Sequence, residues 1–314
     1  MKKLIPAKQT PDPAKSHTLP VEVERMAILL GCGEGLMMLE REWRVAECPL
    51  AGVTNIALEG GRIAALDNGA HQLWLGGEVL SAETGIESVR LWQGHCLTLS
   101  GDTDCLTLTD AATGELLLTT PVGVYPQDMC VLPNLGMVAV CGGADGTVRL
   151  LTLPDLTPVR TAHVPGNAQR IDASCGWLHV LCLTEDDGLQ SLLCRVPIHE
   201  RHGRTDMHTR TDWHTQTDRY IPVATLPGLP GAIRADSTGG LWTAASERLY
   251  HFPRNSRVPD WSLPGFGLIR HIDCNGRWVL VTDPVMGLCA LIDATGRQPM
   301  RVLYEGDVGQ GAFV

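Results

Sequence analysis

Residues 88–123 read SVRLWQGHCLTLSGDTDCLTLTDAATGELLLTTPVG, and this stretch decides the fold. Apolar and hydroxyl residues alternate there in short runs: Val89-Arg-Leu-Trp92, Cys96-Leu-Thr-Leu-Ser100, Cys105-Leu-Thr-Leu-Thr109 and Glu115-Leu-Leu-Leu-Thr-Thr120. Alternation at period two sends successive side chains to opposite faces of a pleat, which Val and Thr fit well. Between the runs stand Gly94, Gly101-Asp-Thr-Asp104 and Asp110-Ala-Ala-Thr-Gly114, residue types that accept the positive φ of hairpin turns. The stretch predicts four strands joined by hairpins.

The same grammar returns along the chain. First-strand markers at Ile56, Val89, Met129, Ile171, Ile233 and Ile272 lie 33, 40, 42, 62 and 39 residues apart. The long gap is explained by one unusual segment, residues 199–219. Several units are announced by similar junctions: Pro121-Val-Gly-Val-Tyr-Pro126, Val164-Pro-Gly166, Leu226-Pro-Gly228, Leu263-Pro-Gly265 and Asp307-Val-Gly309. A period near 40 with four short strands per unit predicts a β-propeller, whereas a β-sandwich predicts no such period. Six full units run from 54 to 306, but residues 25–53 hold only three strand runs, at 26–30, 36–39 and 43–48. The final Val308-Gly-Gln-Gly-Ala-Phe-Val314 reads as a first strand with no blade after it. The C-terminus is therefore expected to supply the innermost strand of the first blade, closing an all-β, seven-bladed β-propeller and removing free sheet edges.

Trp278-Val-Leu-Val-Thr-Asp283, followed by Leu288-Cys-Ala-Leu-Ile-Asp-Ala-Thr-Gly296, resembles the bacterial Tyr-Val-Thr-Asn (YVTN)-type propeller repeat, with its Ile-Asp and Thr-Gly turn between strands. Residues 106–114 and the junction at 122–126 are similar. The likeness is tight over two or three blades and loose over the others. The literal YVTN string and the Trp-Asp dipeptide of WD40 repeats are absent, although Gly94-His95 copies half of the latter signature. The resemblance implies a scaffold. Some members of this broad group bind partners or ligands, and related lactonase-like propellers hydrolyse sugar lactones, so fold leaves function open.

Composition narrows the choice. The 314 residues carry 44% hydrophobic residues and a net charge of -10, enough apolar material for a core and the wrong sign for a nucleic-acid backbone or an anionic membrane surface. No apolar run approaches the roughly 18 residues that span a bilayer. After Met-Lys-Lys-Leu-Ile-Pro the N-terminus turns polar and proline-rich, where a secretory signal needs an apolar region. Residues 1–24 are thus expected to be a flexible arm, and 25–314 a single propeller domain, on a cytoplasmic monomer without a cofactor. The eleven cysteines support a reducing compartment: they are odd in number, mostly set singly within apolar runs, and never at CxxC spacing.

In a propeller the first strand of each blade lines the central channel, and here those strands are charged. They read Arg170-Ile-Asp172, Arg234-Ala-Asp236 and Arg270-His-Ile-Asp273, with Arg90 and Asp128 from the third and fourth blades. On one reading Arg170, Arg234 and Arg270 converge at one mouth and bind a carboxylate or phosphate, while Asp172, Asp236 and Asp273 orient them or face a sugar. On the other, Arg and Asp pair across adjacent inner strands as a structural network. Both readings need the same residues facing the same way.

No Gly-x-Ser-x-Gly, His-Glu-x-x-His or glycine-rich phosphate loop is present. His271, beside Arg270, and Asp273 are the candidate catalytic residues for an anionic lactone, with proton transfer open to Asp172, Asp236, Asp273 or His271. The segment 199–219 contains a six-residue repeat, at 204–209 and 210–215. If it extends as a β-hairpin, Asp206, His208, Asp212 and His214 share one face, and His208 and His214 are candidate ligands for zinc or nickel. The favoured reading is a solvated, mobile extension of blade five, with a partner contact centred on Trp213 and the metal site as alternatives. The sequence therefore points to a non-enzymatic scaffold or ligand-binding protein that meets a protein partner or a small anionic ligand at the channel mouth or the blade rim. The alternative is a lactonase-like hydrolase acting on an anionic sugar lactone.

Overall fold

A computed structural model describes residues 26–40, 43–185, 188–199 and 220–314. The alternating runs form seven four-stranded antiparallel sheets. Their inner strands are Val308–Phe313 (blade 1), Asn55–Glu59 (2), Ile86–Trp92 (3), Pro126–Leu132 (4), Asn167–Ser174 (5), Pro230–Ala235 (6) and His271–Cys274 (7). Each of the six sequence markers falls on one of them. Neighbouring inner strands touch all the way round, the seventh blade against the first and the first against the second, so the sheets form a closed ring.

Blade 1 is built from both ends of the propeller. Val308–Phe313 pairs with Ile28–Cys32, with Phe313 opposite Ile28 and Ala312 opposite Leu29; Gly35–Leu39 and Trp43–Val45 complete the sheet. The C-terminal strand closes the ring, as the missing strand predicted. The arm at 1–24 and the insertion beyond His199, with His208 and His214, lie outside the described residues. Among the described residues no helix is long and apolar enough to cross a membrane.

The core lies between blades, because each sheet packs both faces against its neighbours. Between blades 4 and 5, Val148, Leu150, Ala168, Ile171, Val180 and Cys182 form one such cluster, nearly all fully buried. Burying a Val, Leu or Ile side chain stabilises by about 1.5–3 kcal/mol, and each inter-blade seam repeats this packing. All eleven cysteines are free thiols, and most are buried among these residues.

Junctions between blades turn sharply. Gly123, Gly166, Gly228 and Gly265 all adopt positive φ there, and at Gly166 (φ 71) a side chain would run into the Leu183 carbonyl. Aspartates hold the junctions in place. Asp67 accepts the Gly52 N–H at 3.1 Å, and Asp283, fully buried, accepts those of Gly267 at 2.6 Å and Leu268 at 3.1 Å.

Candidate functional site

Each inner strand leaves one edge facing the channel, where backbone N–H and C=O groups lack a sheet partner. Side chains supply the missing partners and in doing so tie each blade to the next. Gln310 accepts the Ile56 N–H at 3.1 Å, linking blades 1 and 2, and Asn55 donates to the Glu87 carbonyl at 3.1 Å, linking 2 and 3. Arg90 pairs with Asp128 at 3.1 Å across blades 3 and 4, and the second oxygen of Asp128 accepts the Ile171 N–H of blade 5 at 3.3 Å. Asp172 accepts the Ala235 N–H of blade 6 at 2.7 Å. Arg234 pairs with Asp273 at 2.9 Å across blades 6 and 7, and Asp273 accepts the Phe313 N–H of blade 1 at 2.9 Å. All seven seams are bridged at the channel wall.

Electrostatics follow from this enclosure. Burial raises the Asp172 carboxyl above the usual range, while Arg234 and the Ala235 and Ala173 N–H groups hold it back. Burial works against the charge of Arg234, but Asp172 and Asp273 outweigh it and hold the guanidinium above its ordinary value. Arg234 keeps 45% of its side-chain surface accessible, yet it lines the channel, so its pairing is screened less than at an open surface. His271 in the same wall is pushed down to about 4 by burial, with Arg234 and Arg90 adding to the effect and Asp273 opposing it. Its imidazole is neutral at pH 7.

Of the arginines and aspartates named from sequence, Arg170, Asp172, Arg234, Arg270 and Asp273 line the channel and Asp236 does not. The inner strand of blade 6 ends at Ala235, so Asp236 opens the following turn instead of sharing the channel face with Arg234. There it accepts the N–H groups of Thr238 at 2.8 Å and Gly240 at 2.9 Å, and contacts His251 Nε2 at 3.1 Å. Arg234 belongs to the paired wall. Arg170 and Arg270 differ, because among the described residues neither has a carboxylate within 4.0 Å. Arg170 donates to the carbonyls of Gly231 at 2.9 Å and Gln169 at 2.7 Å. The Arg270 guanidinium has no hydrogen-bond partner among the described residues. Burial pushes it below the usual arginine range; Arg170 adds to this and Glu87 opposes it.

Every blade is antiparallel, so all inner strands start at the same end of the channel, here termed the leading mouth. Arg270 directly precedes its strand, and Arg170 and Glu87 sit early in theirs. The wall pairs of Arg90, Asp172, Arg234 and Asp273 lie further along. The channel encloses about 710 Å³ and is lined from all seven inner strands, a volume that suits a small ligand. Among the described residues no three His, Cys, Asp or Glu side chains come together to hold a metal ion.

No family model and no curated protein matches the chain. Among solved structures, a functionally unknown protein from Desulfotomaculum acetoxidans aligns with TM-score 0.68 and 11% identity over 92% of this chain and 98% of its own. A protein from Lactobacillus plantarum gives 0.68 and 13% over 92% and 99%. The hydrazine synthase of Kuenenia stuttgartiensis gives 0.60 and 10% over 80% and 79%. The likeness is one of fold.

Sequence reading missed Glu87, Asn55 and Gln310. Asn55 and Gln310 are uncharged and escaped a search for charges. Glu87 was hidden by alternation: with Arg90 facing the channel and Val89 buried between blades, Glu87 should share the side of Val89. A bulge between Ile86 and Ser88 breaks that rule and brings Glu87 to the channel.

Proposed function

We propose that this propeller is a non-catalytic binding protein of YVTN-like type that takes a small anionic ligand at its leading mouth, between Arg170 and Arg270. The observation that carries this reading is the unpartnered guanidinium of Arg270, in a channel where Arg90 and Arg234 are each paired. Arg270 is exposed to the channel, so its guanidinium is open to a ligand, and a carboxylate or phosphate supplies the paired acceptor oxygens that a guanidinium fork fits. Lactone hydrolysis has less support. His271 is a weak base at about 4, Asp172 accepts backbone N–H groups at both oxygens, and Asp273 accepts one at one oxygen and pairs with Arg234 at the other. The Thr-Gly turns that suggest the YVTN-type repeat serve geometry: Asp110 accepts the Thr113 N–H at 2.8 Å, and Asp293 that of Thr295 at 2.9 Å.

The test is thermal denaturation of the wild type and Arg270→Ala with sugar phosphates, sugar acids and simple carboxylates. Binding to the native state raises the melting temperature, by the equivalent of about 2.7 kcal/mol at a ligand concentration of 100 times Kd. The expected result is a shift with at least one anion that disappears in Arg270→Ala. No shift with any of them, or an equal shift in the variant, removes the site from the leading mouth.

A further inference from the structure

Glu87 is out of place in a mouth built for a plain anion. It projects from blade 3, Arg170 from blade 5 and Arg270 from blade 7, so the three approach the lumen from alternate blades around the ring. Among the described residues Glu87 makes no ion pair within 4.0 Å with either arginine, although both act on it across the opening. Its main chain is fixed: the bulge sets the direction of the side chain, and Asn55 holds the Glu87 carbonyl at 3.1 Å. A carboxylate held there repels any incoming anion. Asp307, in the junction between blades 7 and 1, is a second acid lining the same channel. The mouth thus presents two positive and two negative groups that have not neutralised one another by direct contact.

We infer that the ligand of the leading mouth carries a cation as well as a carboxylate, and that the site takes a zwitterionic α-amino acid with its carboxylate toward Arg170 and Arg270 and its ammonium toward Glu87. The inference rests on the anion-binding reading above and adds the cationic half. A simple carboxylate meets the arginines but leaves Glu87 opposing it. An amino acid turns that opposition into a charge-assisted hydrogen bond, a kind of contact stronger than a neutral one.

Calorimetric titration of the full chain with matched pairs, glutamate against glutarate and alanine against propionate, tests it in wild type, Glu87→Gln and Arg270→Ala. The amino acid of a pair is expected to bind the wild type about tenfold tighter than its deaminated twin, a difference of one well-made charged contact. Glu87→Gln is expected to bring the twins within about twofold, within the range of a neutral replacement, while keeping the carboxylate. Arg270→Ala is expected to lose both. If the carboxylates bind the wild type as well as the amino acids, or if Glu87→Gln keeps the preference, the zwitterion inference is overturned and the anion site stands. If neither twin of any pair binds a wild type that melts cooperatively, the zwitterion inference is overturned, and the anion-binding reading is decided by the phosphates and sugar acids of the thermal test.

Discussion

Asp172 shows what the channel wall asks of a single side chain. One oxygen accepts the Ala173 N–H at 2.9 Å and the other the Ala235 N–H of the next blade at 2.7 Å, with Arg234 close by. Asp172→Ala leaves the Ala235 N–H without its acceptor and takes a counter-charge from Arg234, and is expected to cost about 1–3 kcal/mol in urea denaturation. Asp172→Asn, which keeps one acceptor oxygen, is expected to cost less. His179 sets a pH dependence. It is buried, bonds Ser174 Oγ at 2.8 Å, and is pushed down to about 4 by burial, with Arg195 adding to the effect. The unfolded chain takes up the proton near pH 6.5 and the folded one only near 4, so this contribution is complete above 6.5 and is lost as pH falls toward 4. The loss reaches about 3 kcal/mol. His179→Gln, which can still bond Ser174, is expected to flatten the melting profile across that window. At this scale the sequence was only partly legible. Arg170, Asp172 and Asp273 could be placed in the channel because they flank apolar inner-strand markers. Asp236 could not, because whether its strand ended one residue earlier depends on the turn bonds it makes.

Among the seven outer strands, Leu116–Pro121 stands apart. The others are short, as in Trp43–Val45, Glu78–Ser81 and Trp261–Pro264, or carry charge or a proline near their start, as in Pro158–His163, Ile221–Pro227 and Arg301–Glu305, whereas Leu116–Pro121 is uncharged and has its one proline at the last position. Leu116, Leu117 and Leu118 are 62%, 44% and 37% exposed in succession along a free edge, the kind of edge that recruits other strands. Leu117→Lys is therefore expected to reduce concentration-dependent light scattering without lowering the melting temperature. Gly166→Ala is expected to cost about 1–3 kcal/mol, and more if the Leu183 carbonyl cannot move, measured by thermal denaturation. Strands and junctions were the most legible part of the chain, since period-two alternation and glycine at positive φ leave direct marks in sequence. The bulges were not, because they answer to packing between blades that lie far apart along the chain.

At the scale of the whole molecule, the ring depends on its last strand. Removing residues 308–314 takes away the inner strand of blade 1, the Phe313 N–H that Asp273 binds and the Gln310 side chain that holds Ile56. The shortened chain is expected to elute as aggregate or to melt without a cooperative transition, whereas removal of Val314 alone should leave both elution and melting close to the intact protein. The blade count was legible because one sheet fell short by a strand at the beginning and one strand was left over at the end. No periodic pattern could reveal the bridging of the seams, because its members are Asp, Arg, Asn and Gln at different positions.

The same closure sets a timetable for synthesis. Ile28–Cys32 leaves the ribosome ahead of the other described strands, and its partner Val308–Phe313 follows all of them. At roughly 5–20 residues per second, the first sheet waits on the order of tens of seconds with an unfilled place, while six complete blades are made beside it. A nascent chain halted a few residues early would hold nearly every contact of the finished protein and still be an open ribbon with two sticky ends. Synthesis thus reaches the residues that decide whether the molecule is a ring at all only after the six other blades are made.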